Sequence, residues 1–365
     1  MTERLENLLK QMKTNNMDSV LVTSPANVYY LSNYNSDPHE RLLAIFVCQH
    51  EDPLLILPAM EEEDAKNAGW KFPTIAYYDH EDPWEMFRLF LQKRSTKINS
   101  IALESNQVTL ERYLKVKEIF PQAEMMNAED SLAGLRLIKN KKEYTLLKQA
   151  AALADLGVRT GVAAIQEGVS EFDLIATIEY TLKKEGIQGM SFSTMALSGD
   201  KTASPHGTPG AKKIEKGDMV LFDLGVIYEG YCSDITRTVA YKSVTDQQRT
   251  IYETVRTAQQ KAIDASQLGT AVGAIDRAAR THIQEAGYGD YFKHRIGHGL
   301  GIETHEYPSM HENNQLQLQP GMCYTIEPGI YVPNQGGVRI EDMIFMTEKG
   351  AEILTEYPKE LLVLD

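Results

Sequence analysis

Between residues 141 and 346 one order of elements occurs twice, and this recurrence restricts the fold more than any other property of the chain. From Lys141 onward, Tyr144, Leu147, Ala151, Ala154, Val158, Val162 and Ile165 step by three or four, the spacing of one helical face. Ser170-Glu-Phe-Asp173 predicts a capping box for a second helix that stops at Gly186. A strand-rich segment follows over 218–241. Helices are then expected near 246–266 and 271–286, and strands in 292–304 and 321–346. Helix, helix, strands, repeated once, suggests two halves related by a pseudo-two-fold, although no residue-level repeat accompanies the order. A site fed by both strand groups would lie between the halves.

Upstream the pattern differs. Leu5, Leu8, Leu9 and Met12 mark a helix, and Ser19–Thr23, Leu42–Cys48 and Leu54–Leu57 read as strands, the first ending at a Ser-Pro turn. Residues 84–93 read as another helix. Strands alternating with helices predict an α/β N-terminal domain over residues 1–128, without a Gly-rich phosphate loop. A chain of 365 residues, 42% hydrophobic, has material for two domains or one large one. Its 51 acidic residues against 37 basic ones, a net charge of -14, argue against a nucleic-acid partner. No apolar run approaches the roughly 20 residues that span a bilayer, so no membrane partner is expected. The N-terminus lacks the apolar segment of a signal peptide, and the three cysteines, Cys48, Cys232 and Cys323, suit a reducing compartment. A cytoplasmic protein is the expectation.

The chemistry gathers in the repeated region. Met219–Ile227 and Tyr231–Val239 are β-rich, and Tyr228-Glu229-Gly230 between them suggests a hairpin. A two- or four-residue loop centred on Tyr228 and Glu229 would set Asp223 opposite Asp234, with Cβ atoms roughly 5 Å apart. A three-residue loop would break that register. One strand aspartate is as readily an edge charge, but an opposed pair in apolar strands needs a cation or a shared proton, and a metal is the simpler account. Glu327 ends the run Tyr324–Pro328, and Glu341 lies inside the run Gly337–Phe345, again on neighbouring strands. Between the pairs stands His298, whose flanking glycines let backbone approach a site closely. A lone histidine is more often structural. Four carboxylates and one imidazole form a hard, oxygen-biased set that favours Mn²⁺, with Zn²⁺, Co²⁺ or Fe²⁺ chemically possible. Two ions about 3.5–4 Å apart would use all five groups. His305–His311 imitates a zincin signature, but its histidines are six apart with Pro308 between them, which rules out one helical face.

The strings SPHG (204–207), DLG (223–225), GYCSDITRT (230–238), GHGLG (297–301), THE (304–306), IEPG (326–329) and VRIED (338–342) occur in an order that resembles the prolidase and aminopeptidase P branch of the pita-bread (M24) metallopeptidases. Asn27-Val-Tyr-Tyr-Leu31 resembles the start of that branch's N-terminal domain. The resemblance implies a two-domain α/β (α+β) protein. Its N-terminal domain would be of creatinase/prolidase type, and its pita-bread catalytic domain, over 136–365, would have an antiparallel sheet and a pseudo-two-fold. It also implies that Asp223, Asp234, His298, Glu327 and Glu341 bind two divalent ions, with Asp234 and Glu341 bridging them. His206 and His305 match histidines used around the substrate and the tetrahedral intermediate. Arg339 matches an arginine able to pair with a substrate carboxylate, or equally with a neighbouring acid.

The reaction implied is hydrolysis of Xaa-Pro dipeptides by a hydroxide bridging the metals, with Glu327 as proton shuttle and His305 steadying the oxyanion. An aminopeptidase P acting on longer Xaa-Pro peptides is the alternative. A metal-free or non-enzymatic pita-bread relative is more remote, since all five ligand types are present. The resemblance further implies a homodimer. Asp37-Pro-His-Glu-Arg41 is a charged loop that could reach an active site or simply be solvated.

Overall fold

The computed structural model describes residues 2–94 and 96–365, which form two compact units, Met1–Arg136 and Leu137–Asp365. The N-terminal unit runs α1 (Glu3–Thr14), β1 (Ser19–Val22), α2 (Pro25–Ser32), β2 (Ala44–Cys48), β3 (Leu54–Pro58), α3 (Glu62–Asn67), β4 (Thr74–Tyr77), α4 (Pro83–Gln92), β5 (Ser100–Leu103), α5 (Leu110–Ile119), β6 (Glu124–Asn127) and α6 (Glu129–Leu137). Its sheet has the order β4-β3-β2-β1-β5-β6; β1 is antiparallel to β2 and parallel to β5. Strands β1, β2, β3 and β5 are buried along their whole length, as expected of a sheet covered on both faces. The Ser-Pro pair after β1 is a helix start: the Ser24 hydroxyl accepts from the Asn27 amide, and Pro25 occupies the first helical position, where its missing N–H costs nothing. In the loop at 37–41, Arg41 is tied to Asp79 by two hydrogen bonds, while Asp37 and His39 stay exposed.

The C-terminal unit contains α7 (Lys141–Ala163), α8 (Glu171–Lys184), β7 (Gly189–Met190), β8 (Met195–Ser198), β9 (Met219–Leu224), β10 (Val226–Tyr228), β11 (Tyr231–Cys232) and β12 (Ile235–Tyr241). It continues with α9 (Asp246–Ala265), α10 (Val272–Glu285), β13 (Gly297–Gly299), β14 (Glu306–Met310), β15 (Cys323–Ile326), β16 (Gly329–Val332), β17 (Gly336–Arg339), β18 (Asp342–Thr347), β19 (Gly350–Ile353) and β20 (Val363–Leu364). Capping boxes at Asn140/Glu143, Ser170/Asp173 and Thr245/Gln248 start α7, α8 and α9.

The repeat foreseen in the sequence is present in the pairing. In the first half β8, β9 and β12 are neighbours, all antiparallel; in the second, β13, β15 and β18 have the same relation. Each half has its own core. Val158, Leu174, Ile178 and Phe222 pack in the first, and Val255, Ile275, Tyr324 and Ile344 in the second. The candidate residues follow the repeat. Asp234 immediately precedes β12 and Glu341 immediately precedes β18; Asp223 lies near the end of β9 and Glu327 just past β15.

Two local expectations are corrected. Tyr228 pairs with Tyr231 across a two-residue turn, Glu229-Gly230, with both residues at positive φ (44° and 79°). The hairpin is therefore centred one residue later than the sequence reading placed it, and Asp223 pairs with Thr236 rather than with Asp234. A shift of two in register preserves the face, so the aspartates remain diagonal neighbours on one side. Glycine at the second turn position is the sequence signal for this turn type. The run 337–345 is also not one strand: it breaks at Ile340 and Glu341, between β17 and β18.

Candidate active site

A cavity of about 540 Å³ in the C-terminal unit is lined by all eight residues singled out in the sequence: His206, Asp223, Asp234, His298, His305, Glu327, Arg339 and Glu341. Asp234, His298 and Glu341 are buried and bring ligand atoms within 4.8 Å of one another. His298 Nε2 lies 3.4 Å from Glu327 Oε1 and 3.6 Å from Asp234 Oδ2. One step beyond the β15–β18 pair Ile326↔Asp342, the ladder direction brings Glu327 and Glu341 to the same level.

The glycines beside His298 serve packing between strands rather than approach to the site. A Cβ on Gly297 would stand 2.0 Å from the Thr325 carbonyl oxygen, and one on Gly299 2.3 Å from that of Tyr307. His298 is thus held in a strand pressed between two others, its amide donating to Thr325 Oγ1 at 3.1 Å.

The imidazole has one protonation pattern that fits. Burial, reinforced by His305, takes its pKa down to about 3, so the ring is neutral. Nδ1 lies 3.1 Å from the Gly299 carbonyl oxygen, which can only accept, so the proton sits on Nδ1. Nε2 therefore presents a lone pair to two carboxylates. Lone pair against carboxylate is repulsive unless a cation or a shared proton lies between, and a backbone carbonyl holding the other nitrogen is the usual arrangement of a metal-binding histidine.

The acids report the same deficit. Asp223 Oδ1, Asp234 Oδ1 and Glu341 Oε1 are buried side-chain atoms without a hydrogen-bond donor. Burial and then the mutual repulsion of the acids raise Asp234 and Glu341 well above the ordinary carboxylate range, and burial lifts Glu327 to about 7. Four acids, orphaned oxygens and a free imidazole lone pair fit divalent cations as a donor set.

Arg339 resolves toward a neighbouring acid. Its Nη2 binds Asp223, its Nη1 donates to the Tyr331 hydroxyl at 2.8 Å and its Nε to Thr236 Oγ1 at 3.1 Å. Thr236 in turn donates to Glu341 Oε2 at 2.7 Å. The guanidinium fork thus orients two carboxylates through direct and relayed bonds. Tyr331, Thr236 and His294, whose Nε2 is 3.0 Å from the Tyr331 hydroxyl, were not given roles from sequence. His305 is exposed, its ring 4.2 Å from that of His298, and partial desolvation lowers its pKa. His206 is exposed at the cavity's edge. The zincin imitation dissolves, because residues 306–310 form strand β14.

A twice-repeated helix–helix–strand unit around a carboxylate–imidazole cavity defines a pita-bread hydrolase. Residues 145–348 match Metallopeptidase family M24 and residues 4–138 match the Creatinase/Prolidase N-terminal domain; the chain belongs to this metallopeptidase family. It is 51% identical over 361 residues, 99% of both chains, to a Bacillus subtilis (strain 168) protein that carries the provisional dipeptidase name YkvY. It is 40% identical over 362 residues to the Xaa-Pro dipeptidase of Lactobacillus delbrueckii subsp. lactis, covering 99% of this chain and 98% of that one. The crystal structure of the prolidase from Pyrococcus horikoshii OT3 superposes with a TM-score of 0.91 at 36% identity, covering 99% of this chain and 100% of that one.

Proposed function

We propose that this chain is an Xaa-Pro dipeptidase, in which Asp223, Asp234, His298, Glu327 and Glu341 hold two divalent ions, most suitably Mn²⁺. The observation that carries the reading is the unprotonated His298 Nε2 facing Asp234 and Glu327, with buried oxygens of Asp223, Asp234 and Glu341 that lack donors around it. The naming of full-length relatives as Xaa-Pro dipeptidase and prolidase supports the substrate. Bound divalent ions supply Lewis-acid polarisation of the scissile carbonyl and acidify water.

The side chains do the rest. Glu327, at the edge of the cluster, carries a proton to the imide nitrogen as the bond to proline breaks. His305, neutral beside His298, donates a hydrogen bond to the carbonyl oxygen as it gains charge. His206, at the edge of the cavity, contacts the bound peptide. Arg339 holds Asp223 and, through Thr236, Glu341, and it lines the cavity in which the substrate carboxylate would lie. We further assign catalysis to residues 136–365 and the creatinase/prolidase-type domain to 1–128. The enzyme would act as a homodimer in the cytoplasm, and the second point is in keeping with three buried cysteines that form no disulfide. No helix among the described residues is long and apolar enough to cross a membrane.

The test compares proline release from Met-Pro and Met-Pro-Gly with Mn²⁺, beside an EDTA control. Cleavage of the dipeptide alone, abolished by EDTA, is expected. Conversion of the tripeptide to Met and Pro-Gly would make it an aminopeptidase P with the same ligands, and full activity in EDTA would remove the metal from the reaction.

A further inference from the structure

Under the acids that line the cavity lies a second buried charge cluster that does not reach it. Side chains alternate faces along a strand, so Thr236 faces the site and Arg237 the opposite side, and Glu341 and Asp342 divide in the same way. Arg237 is 1% exposed and Asp342 0%. Neither lines the cavity.

Every N–H of the Arg237 guanidinium is engaged. Nη1 donates to the backbone carbonyls of Glu341 and Thr236, and Nη2 to Asp342 Oδ1 and the Tyr357 carbonyl, both at 2.7 Å. Nε is shared between the carbonyls of Tyr357 and Pro358, at 3.0 and 3.2 Å. Asp342 is equally saturated, by Thr355 at 2.8 Å, Gln259 at 2.7 Å and Lys359 at 2.9 Å besides Arg237.

The placement matters because Glu341 stands in the break between β17 and β18, where the regular ladder does not fix its peptide. Its amide donates to the Thr236 carbonyl at 3.0 Å, and its own carbonyl is taken by Arg237, which also binds that same Thr236 oxygen. Three bonds therefore set the orientation of the residue that aims a carboxylate into the cavity. Replacement of a buried ion pair by apolar groups is often no less stable, so fold stability alone is a weak reason for this one. A planar fork that holds two carbonyls at once does what a lysine cannot.

We propose that Arg237, steadied by Asp342, is a positioning residue for Glu341 and through it sets the affinity of the site for a divalent cation. The inference rests on the reading of Glu341 as a ligand. Metal-free protein is titrated with Mn²⁺, free ion is measured by electron paramagnetic resonance, and Tm is recorded on the same metal-free samples. Arg237→Lys and the isosteric Asp342→Asn are each expected to weaken Mn²⁺ binding by about tenfold or more. Leu174→Ala, a truncation in the core around α8, lowers Tm and leaves the affinity unchanged. Wild-type affinity in both variants, with Tm lowered as in Leu174→Ala, overturns the proposal. Should Arg237→Lys fail to fold, Asp342→Asn decides alone. Glu341→Gln separates the two layers of the argument: if it binds Mn²⁺ like the wild type, the ligand reading is what fails.

Discussion

Glu104 in the N-terminal unit and Glu341 in the C-terminal unit are 1% and 2% exposed, yet they are opposite kinds of buried glutamate. Glu104 accepts from the amide and hydroxyl of Thr23, the amide and hydroxyl of Ser24, and Asn27 Nδ2, so it is fully solvated by the start of α2. Glu341 has one side-chain donor, Thr236, and an oxygen with none. Burial alone therefore does not mark a functional acid. What distinguishes the second is that the protein leaves part of its valence open.

The comparison can be broken at three points. The largest effect is expected at the open acids. Asp234→Asn should lower kcat/KM for Met-Pro by at least about a thousandfold, roughly 4 kcal/mol of barrier, while the protein stays folded by circular dichroism. An activity within tenfold of wild type would place Asp234 with Glu104. The converse substitution, Glu104→Ala, strands several buried donors and should cost about 3 kcal/mol in urea unfolding. Its kcat should match wild type at a temperature where it is folded.

The third effect is a pH dependence. Glu327 is raised from 4.5 to about 7 in the fold, so its protonated form is favoured by the native state and its stabilising contribution is complete below pH 4.5. As pH climbs from 4.5 through 7 that contribution is lost, and the metal-free enzyme should weaken by about 1 kcal/mol per pH unit from this group. Asp234 and Glu341, raised by burial and mutual repulsion, push the same way. Saturating Mn²⁺ should flatten the profile. A metal-free protein whose Tm rises across this range would contradict the account of the acids.

Much of this site could be read in the chain before any geometry, because its residues sit in strands and turns with recognisable punctuation. His298 between glycines and Glu327 before a proline are local signals. The hairpin register is harder to place, since Tyr228 belongs to the strand and only Gly230 marks where positive φ is needed. Strands β4, β5 and β6 escape a sequence reading because each is short and includes Ala, Ser, Met or Asn, which weakens the β signal. Tyr331 lies outside every quoted string, and Thr236, though inside GYCSDITRT, has no spacing that announces its partner. Their role arises only when strands far apart in the chain bring them to one guanidinium, as does the pairing of Arg237 with Asp342 across 105 positions.

The bonds through Tyr331 also have a direction. His294 gives its Nδ1 proton to the Arg295 carbonyl at 2.8 Å, and burial holds its pKa near 4, so its other nitrogen can only receive. The Tyr331 proton points at that nitrogen, and the hydroxyl oxygen is left to accept from Arg339, which also donates to Thr236, Asp223 and the Pro205 carbonyl. Every link is polarised the same way, and no member can pass a proton backward without breaking the run. A run polarised in one sense fixes each of its polar hydrogens along this wall of the cavity, so Asp223 meets a guanidinium already held in one orientation.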